Sequence, residues 1–586
     1  MIELDETFAV RLSEPVAATI ADVRRSSSID GGSMMRAAAG RWRRLGVAAT
    51  ASTMAACLVA LAPPVSAATD DLVLASTSDT GIKGDRGSFA PVLSADGGTA
   101  AAFASDATNL DPADTDPFTT DIYVKDLANG NIALASTSDT GTKGNGTSLN
   151  PSLSADGITV AFQSFATNLD PADRSRSSDI YVKDLASGNI VLASTSDTGT
   201  KGNGTNFNPS LSADGTTVAF ASQATNLDPA DTDANIDVYV KHLSSGEIVL
   251  ASTSDTGIKG NGSSFNPSLS ADGSTVAFDS LATNLDPADS ESFFDVYVKD
   301  LVSADIVLAS TSDAGVKGQG SLPSLSADGT MVAFQSNATN LDPADSDPLF
   351  DIYVKNVRSG DIVLVSTSAA GAKTNGSSFA PSLAADGTTV AFDSQATNLD
   401  PHDPDPISDV YVKELTSGHV VLASTSDTGA KGNGISFDAA LSRDGSAVTF
   451  TSQATNLDPA DSDPLADVYV RTRVPPLTVS IRDRTVTEGD TGTRNAVFVV
   501  TLSAASSTPV TVRFATADGT ATAPTDYRSQ SGTVTFAPDQ TRRVIVVAVA
   551  GDRVTEPTET FAVRMFTPSG ATISDGRGVG RILDND

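Results

Sequence analysis

The sequence predicts an all-β protein, a seven-bladed β-propeller followed by a two-sheet β-sandwich. Three observations predict it. A unit ending its first strand at an Asp-Gly pair recurs seven times, with the Asp at positions 96, 156, 214, 272, 328, 386 and 444 and spacings of 60, 58, 58, 56, 58 and 58. After Pro475-Pro476 the pattern changes to longer alternating strands. The composition disfavours helix: 46 Gly, 28 Pro, and only nine glutamates among 72 acidic residues, aspartate preferring turns and caps. At 586 residues there is room for several domains, and 39% hydrophobic residues in regular patterns bury a core rather than staying disordered. A net charge of −34 repels phosphate and excludes nucleic acid as a partner.

The first element is not part of either domain. Arg36, Arg41, Arg43 and Arg44 precede an apolar run from Leu45 to Ala62, followed by Pro63-Pro64-Val65-Ser66-Ala67. That order of basic, apolar and small residues reads as a signal peptide over 34–67, so the protein is expected to be secreted or displayed at the cell surface, with no membrane span in the mature chain. The single Trp (Trp42) and single Cys (Cys57) fall inside it, so the mature chain would form no disulfide. Residues 1–33 precede it and match the chain's own end: Glu6-Thr7-Phe8-Ala9-Val10-Arg11 repeats Glu559-Thr560-Phe561-Ala562-Val563-Arg564. They are expected to be a tail fragment of the C-terminal type of module, outside the mature protein, with translation starting at Met34 or Met35.

The propeller is assigned to 71–473. In the third unit its four strands are expected at Pro209–Ser212, Thr217–Ser222, Asp237–Leu243 and Ile248–Ser252, with Asp-Gly and Ser-Gly pairs as hairpin signals. The first strand, Leu72–Ser76, has a fourth-strand sequence with no unit before it, and the last unit stops after its third strand. The N-terminal strand is therefore expected to complete the seventh blade and remove two exposed sheet edges. The repeated Ser-Ala-Asp-Gly-x-x-Val-Ala-Phe, followed by Asp-Val-Tyr-Val-Lys-Asp-Leu, resembles the TolB-type (WD-like) propeller repeat over all seven units, with Ala where that family has Pro. The resemblance implies a fold and leaves function open.

Short turns join strands one to two and three to four, so the long loops (two to three, and the crossover from four to the next one) are expected on one face, where function usually sits. The two-to-three loop carries a run of aspartates: Asp111, Asp114, Asp116 in blade 1; Asp228, Asp231, Asp233 in blade 3; Asp342, Asp345, Asp347 in blade 5; Asp400, Asp403, Asp405 in blade 6; Asp458, Asp461, Asp463 in blade 7. Hard Ca²⁺ takes six to eight oxygens, which such loops offer. The other reading is that they shape Asx turns. Blade 2 departs with Asp173-Arg174-Ser175-Arg176 and blade 4 with Glu291. The crossover, Ser196 to Gly204 for example, lacks the following helix of a phosphate loop; its lysine is expected to neutralise nearby aspartates. Three histidines, His242, His402 and His419, fall in different blades, which disfavours a Ser-His-Asp or zinc site.

For the module at 477–586, strands are expected at Leu477–Arg482, Ala496–Leu502, Val510–Thr516, Gly532–Phe536, Arg543–Val549 and Thr560–Met565. The residues Val486-Thr487-Glu488-Gly489-Asp490, Ala517-Asp518-Gly519-Thr520-Ala521, Asp526-Tyr527, Glu559-Thr560-Phe561 and Ile582-Leu583-Asp584-Asn585-Asp586 resemble the Calx-β domain over its whole length. The resemblance implies an immunoglobulin-like sandwich with calcium at Glu488, Asp518, Asp552, Glu556, Asp584 and Asp586; Arg553 after Asp552 departs from the acidic run of calcium-binding members. The expected function is a secreted, non-enzymatic calcium-binding, adhesion or scaffolding protein whose partner is a protein or glycan at the cell surface. The alternatives are an extracellular hydrolase or lyase acting in the propeller channel, and a structural surface protein without metal.

Overall fold

The computed structural model describes residues 71–94, 98–473, 477–503, 509–538, 540–569 and 571–586. The tail fragment expected at 1–33 and the signal peptide expected at 34–67 lie outside the described residues. All regular structure among those residues is β, and no helix there is long and apolar enough to cross a membrane.

Residues 71–473 form seven four-stranded antiparallel sheets. The third is typical: Asn206–Leu211, Thr217–Ser222, Asp237–His242 and Ile248–Leu250, in that order. Strand two is buried along its whole length, as its unbroken Val-Ala-Phe-Ala core requires of an interior strand. It pairs in full register with strand three, Thr217 facing His242 through to Ser222 facing Asp237. Across that pair Phe220 and Tyr239 stack with ring centroids 6.1 Å apart, and the same Phe–Tyr pair recurs in every sheet. Burying such a phenylalanine is worth roughly 1.5–3 kcal/mol, and every sheet holds one.

Tight turns follow from Asp-Gly. Gly215 takes φ +71°, which a residue without Cβ adopts freely, while Asp214 Oδ1 accepts from the Thr216 N–H (3.0 Å) and Ser212 Oγ (2.7 Å). Strand one starts earlier than expected and carries a bulge: pairing shifts between Phe207 and Ser210, and Asn208 stands at φ 53°. The matching residues Ala90, Asn150, Asn266, Leu322, Ala380 and Asp438 share that left-handed conformation.

Each hydrophobic cluster is shared by two successive sheets; Ile180 and Val182 of the second pack with Val218, Phe220 and Tyr239 of the third. The seventh sheet is built from both ends of the region. Leu72–Leu74 pairs with Asp467–Thr472, Leu72 facing Arg471 and Leu74 facing Tyr469, as the sequence leads one to expect. Ala447, Val468 and Val470 of that sheet pack against Leu93, Ala101 and Phe103 of the first.

The C-terminal region pairs two sheets. One runs Arg542–Gly551, Gly492–Leu502, Thr478–Ile481, Thr572–Asp575; the other runs Arg484–Thr487, Arg577–Leu583, Glu559–Ser569, Val510–Asp518, Ser531–Phe536. All six expected strands are present. Three further strands, Arg484–Thr487, Thr572–Asp575 and Arg577–Leu583, are additional to these, and all three take part in parallel pairs, the first with the third and the second with Thr478–Ile481. Phe498, Phe514, Tyr527 and Phe561 fill the space between the sheets.

Candidate metal centre

Two sets of acids stand out, and they are built differently. In the seven sheets the strand-three register places a fully buried aspartate, Asp237 in the third, beside the two-to-three loop. The crossover that leaves the sheet returns a lysine to the same spot. Lys259 Nζ lies 2.8 Å from Asp237 Oδ2, 3.0 Å from Asp233 and 3.6 Å from Asp231. The arrangement recurs as Lys143 with Asp114 and Asp121, Lys201 with Asp173 and Asp179, Lys317 with Asp289 and Asp295, Lys373 with Asp345 and Asp351, and Lys431 with Asp403 and Asp409. At the seventh sheet Lys83, just after the N-terminal strand, pairs with Asp461 and Asp467.

The loop aspartates divide by role. Asp111, Asp228, Asp342, Asp400 and Asp458 each accept the N–H two residues on at 2.7–2.8 Å, an Asx turn. Asp114, Asp231, Asp345, Asp403 and Asp461 are buried and accept the tyrosine hydroxyl of strand three, Tyr239 to Asp231 at 2.8 Å. Asp233, Asp347, Asp405 and Asp463 sit at the rim against the lysine, and Asp116 instead accepts from the Phe118 N–H. Of the acids expected to hold calcium here, the second of each loop and, outside the first repeat, the third converge with the strand-three aspartate, and the cation at their centre is a tethered ammonium. Burial pushes Asp179, Asp237, Asp295, Asp409 and Asp467 up to about 6, with the lysine contacts pulling the other way. Lys259 is also shifted up: burial lowers it, and its hydrogen bond and attraction to Asp237 outweigh that. The histidines are scattered as expected; His242 Nδ1 meets Thr217 Oγ1 and His402 meets Asp400.

The sandwich acids have no lysine or arginine at ion-pair distance among the described residues; Arg553 acts on Asp586 only as a nearby charge. Strand pairing brings one end of it together: Thr487 faces Leu583, Glu559 faces Ile582, and Gly492 faces Gly551. Glu488, Asp552, Glu556, Asp584 and Asp586 thus leave neighbouring strand ends. The approach is close: a Cβ on Gly551 would lie 1.8 Å from the Gly489 carbonyl oxygen, so only glycine fits. Asp526, Glu556 and Glu559 present carboxylate oxygens within 4.8 Å of one another. No lysine or arginine is ion-paired with those three among the described residues. Glu488 is only 7% exposed, and its Oε1 has no hydrogen-bond partner.

The electrostatics follow. Glu559 is pushed up to about 6 by burial, then by Asp526 and Glu556. Glu488 is raised by burial and then by Glu556, Asp584, Asp552 and Asp586. Asp584 moves the other way, because the Asp586 and Glu556 N–H groups donate to it, the latter at 2.6 Å. Carboxylates crowded without a counter-ion resist ionisation together, and a bound cation reverses that penalty. Asp518, also in the expected set, lies outside the three-carboxylate group of Asp526, Glu556 and Glu559: its Oδ1 accepts from Tyr527 Oη (2.5 Å) and the Ala523 N–H (3.1 Å), which braces the loop. Asp526 and Glu559 join the cluster unforeseen. Both lie inside motifs legible in the sequence, Asp526-Tyr527 and Glu559-Thr560-Phe561, but their convergence depends on pairing that the sequence does not display.

The Calx-beta domain family model matches residues 473–579. A solved structure of the apo form of the Calx CBD1 domain is 28% identical, covering 19% of this chain and 100% of its own length, TM-score 0.18. The CBD12 structure from CALX1.2 is 29% identical over 19% of this chain and 46% of that one, less than half its length, TM-score 0.18. A putative TolB from Agrobacterium tumefaciens is 17% identical over 56% of this chain and 91% of that one, TM-score 0.32. No curated protein matches the chain. Residues 473–579 are thus a Calx-beta domain.

Proposed function

We propose that the protein is a non-enzymatic, calcium-binding protein that works outside the cell, with the sandwich as its calcium switch and the repeat region as its partner-binding body. One observation carries the calcium reading: a buried glutamate oxygen without a hydrogen-bond partner, Glu488 Oε1, set among acids that have no ion-paired lysine or arginine among the described residues. Glu488, Asp526, Asp552, Glu556, Glu559, Asp584 and Asp586 would hold the ion. Bound calcium would cancel their repulsion and tie together loops from five strands. The repeat region is a seven-bladed propeller in this reading, supported by seven like sheets and the packing of the seventh on the first. Export rests on the basic, apolar, small-residue order at 34–67. A protein or glycan at the cell surface is the partner, received on the face that bears the long loops.

Isothermal titration with calcium tests the centre. The parent chain should bind with release of protons, and Glu488→Gln combined with Asp526→Asn should abolish the heat without unfolding the sandwich. Absence of heat and of any thermal shift in the parent at millimolar calcium refutes the reading.

A further inference from the structure

The fifth repeat is the irregular one, and its irregularity makes a pocket. Its crossover is two residues shorter, Lys317-Gly318-Gln319-Gly320-Ser321 against Lys259-Gly260-Asn261-Gly262-Ser263-Ser264-Phe265 in the fourth. Three consequences follow from that deletion.

First, an aromatic is missing. Strand one pairs Phe265 with Asp279 in the fourth sheet and Phe379 with Asp393 in the sixth, but Ser321 with Gln335 in the fifth. The neighbours that line such a ring remain: Phe294 packs on Phe265 (5.8 Å) and Phe350 on Phe379 (5.6 Å). Second, a hydroxyl loses its partner. Ser264 bonds Ser280 and Ser378 bonds Ser394, each at 2.9 Å, whereas Gly320 stands opposite Ser336. Ser336 is 1% exposed; its Oγ accepts from the Ala338 N–H (3.0 Å), and its own proton has no acceptor among the described residues. Third, a loop clasp is gone. Asn261 exchanges hydrogen bonds with Thr283 and Asn284, whereas Gln319 makes none of these among the described residues. The result is a cavity of about 360 Å³ walled by Phe293, Phe294 and Phe350, with Ser321, Ser336 and Asn337 at its polar side. A second cavity of about 480 Å³ adjoins it, sharing Gln319 and Asn337.

We propose that this seam between the fourth and fifth sheets binds a neutral pyranose ring of a glycan, its apolar face on the phenylalanines and its hydroxyls on Ser321, Ser336, Gln319 and Asn337. Aromatic walls with a few convergent amides and hydroxyls are the make-up of a small-ligand site, and the first cavity has no charged lining residue. A bare apolar side chain would strand the buried Ser336 hydroxyl, whereas a sugar hydroxyl satisfies it. The net charge of −34 disfavours anionic sugars. The second cavity extends the groove for the next residue of the chain. This assignment rests on the reading that the loop-bearing face receives a partner, and it is independent of calcium.

Saturation-transfer NMR on the full chain tests it, with the methyl glycosides of glucose, galactose, mannose and N-acetylglucosamine, a methyl glucuronide, and N-acetylphenylalanine amide as probes. At least one neutral glycoside should show transfer, and the glucuronide less. Phe293→Ser, on a side chain 51% exposed, should weaken binding about tenfold, as truncating an aromatic anchor does, with Ser336→Ala following in the same direction. Phe118→Ser, 89% exposed in the first repeat, should leave it unchanged. Transfer from the phenylalanine amide but from no glycoside overturns the sugar while sparing the partner face. Silence from all probes, or transfer indifferent to Phe293→Ser and Ser336→Ala, overturns the pocket itself.

Discussion

The two acidic regions use the same residue type under opposite electrostatic terms. Around Asp237 every buried carboxylate is answered by the chain itself, through Lys259, Tyr239 and Ser252. Around Glu488 the acids crowd one another, with backbone N–H groups on Asp584 and only the more distant charge of Arg553 acting on Asp586. The lesson is that aspartate density does not identify a cation site; the absence of a tethered cation does. Seven of the densest runs in the sequence are closed by lysine, and the sparser set at the sandwich tip is left open.

The largest effect should come from opening one closed cluster. Lys259→Met leaves Asp231 and Asp237 buried without their cation, and breaking such a pair costs about 3–5 kcal/mol. Urea unfolding at pH 7 should show it; a loss below 1 kcal/mol would mean the clusters are not closed by lysine. Closing the open cluster comes next. Calcium at about a hundred times its dissociation constant should add about 2.7 kcal/mol to the sandwich. Peptide-resolved hydrogen exchange should slow over 484–490, 522–528 and 552–560 and stay unchanged over 228–260; equal slowing in both would erase the contrast. A third test removes a single neutral donor. Tyr239→Phe takes the hydroxyl from buried Asp231 and should cost about 1–3 kcal/mol by thermal melting.

A further test reads the slope of stability in pH. The five strand-three aspartates whose folded pKa rises from 3.8 to about 6 bind their protons more tightly in the folded state. Their favourable contribution is complete below the unfolded value and is lost as pH rises through about 6. Stability of the repeat region should therefore fall between pH 4 and pH 6. A rise across that window would contradict the burial argument. The penalty in Lys259→Met should shrink at pH 5 for the same reason, because Asp237 is then protonated.

Much of this was legible in the sequence. Seven Asp-Gly turns at near-constant spacing placed the strands, and the orphan first strand placed its own partner. The lysine of the crossover was also readable as the neutralising charge. The bulge in strand one was not, because Ala90, Leu322 and Ala380 adopt positive φ with no glycine to announce it. The parallel strands Arg484–Thr487 and Thr572–Asp575 escaped as well, being four residues each. Asp518 and Asp526 show the limit at the site. Asp518 ends one strand and Asp526 lies in the loop that follows, and only the three-dimensional arrangement decides that Asp518 serves Tyr527 while Asp526 faces Glu556 and Glu559.

The seventh sheet has a consequence for the order of assembly. Ser76 donates to Asp467 across 391 residues, Leu72 N–H to Asp427 across 355, and Lys83 reaches Asp463 across 380. The earliest-made strand of the repeat region must wait, unpaired, until nearly all of that region has been synthesised. Closing so long a loop is slow, and local sheets are free to form first. The terminal strand therefore works as a latch: six sheets are completed from neighbouring sequence, and the seventh reports that the whole region has arrived.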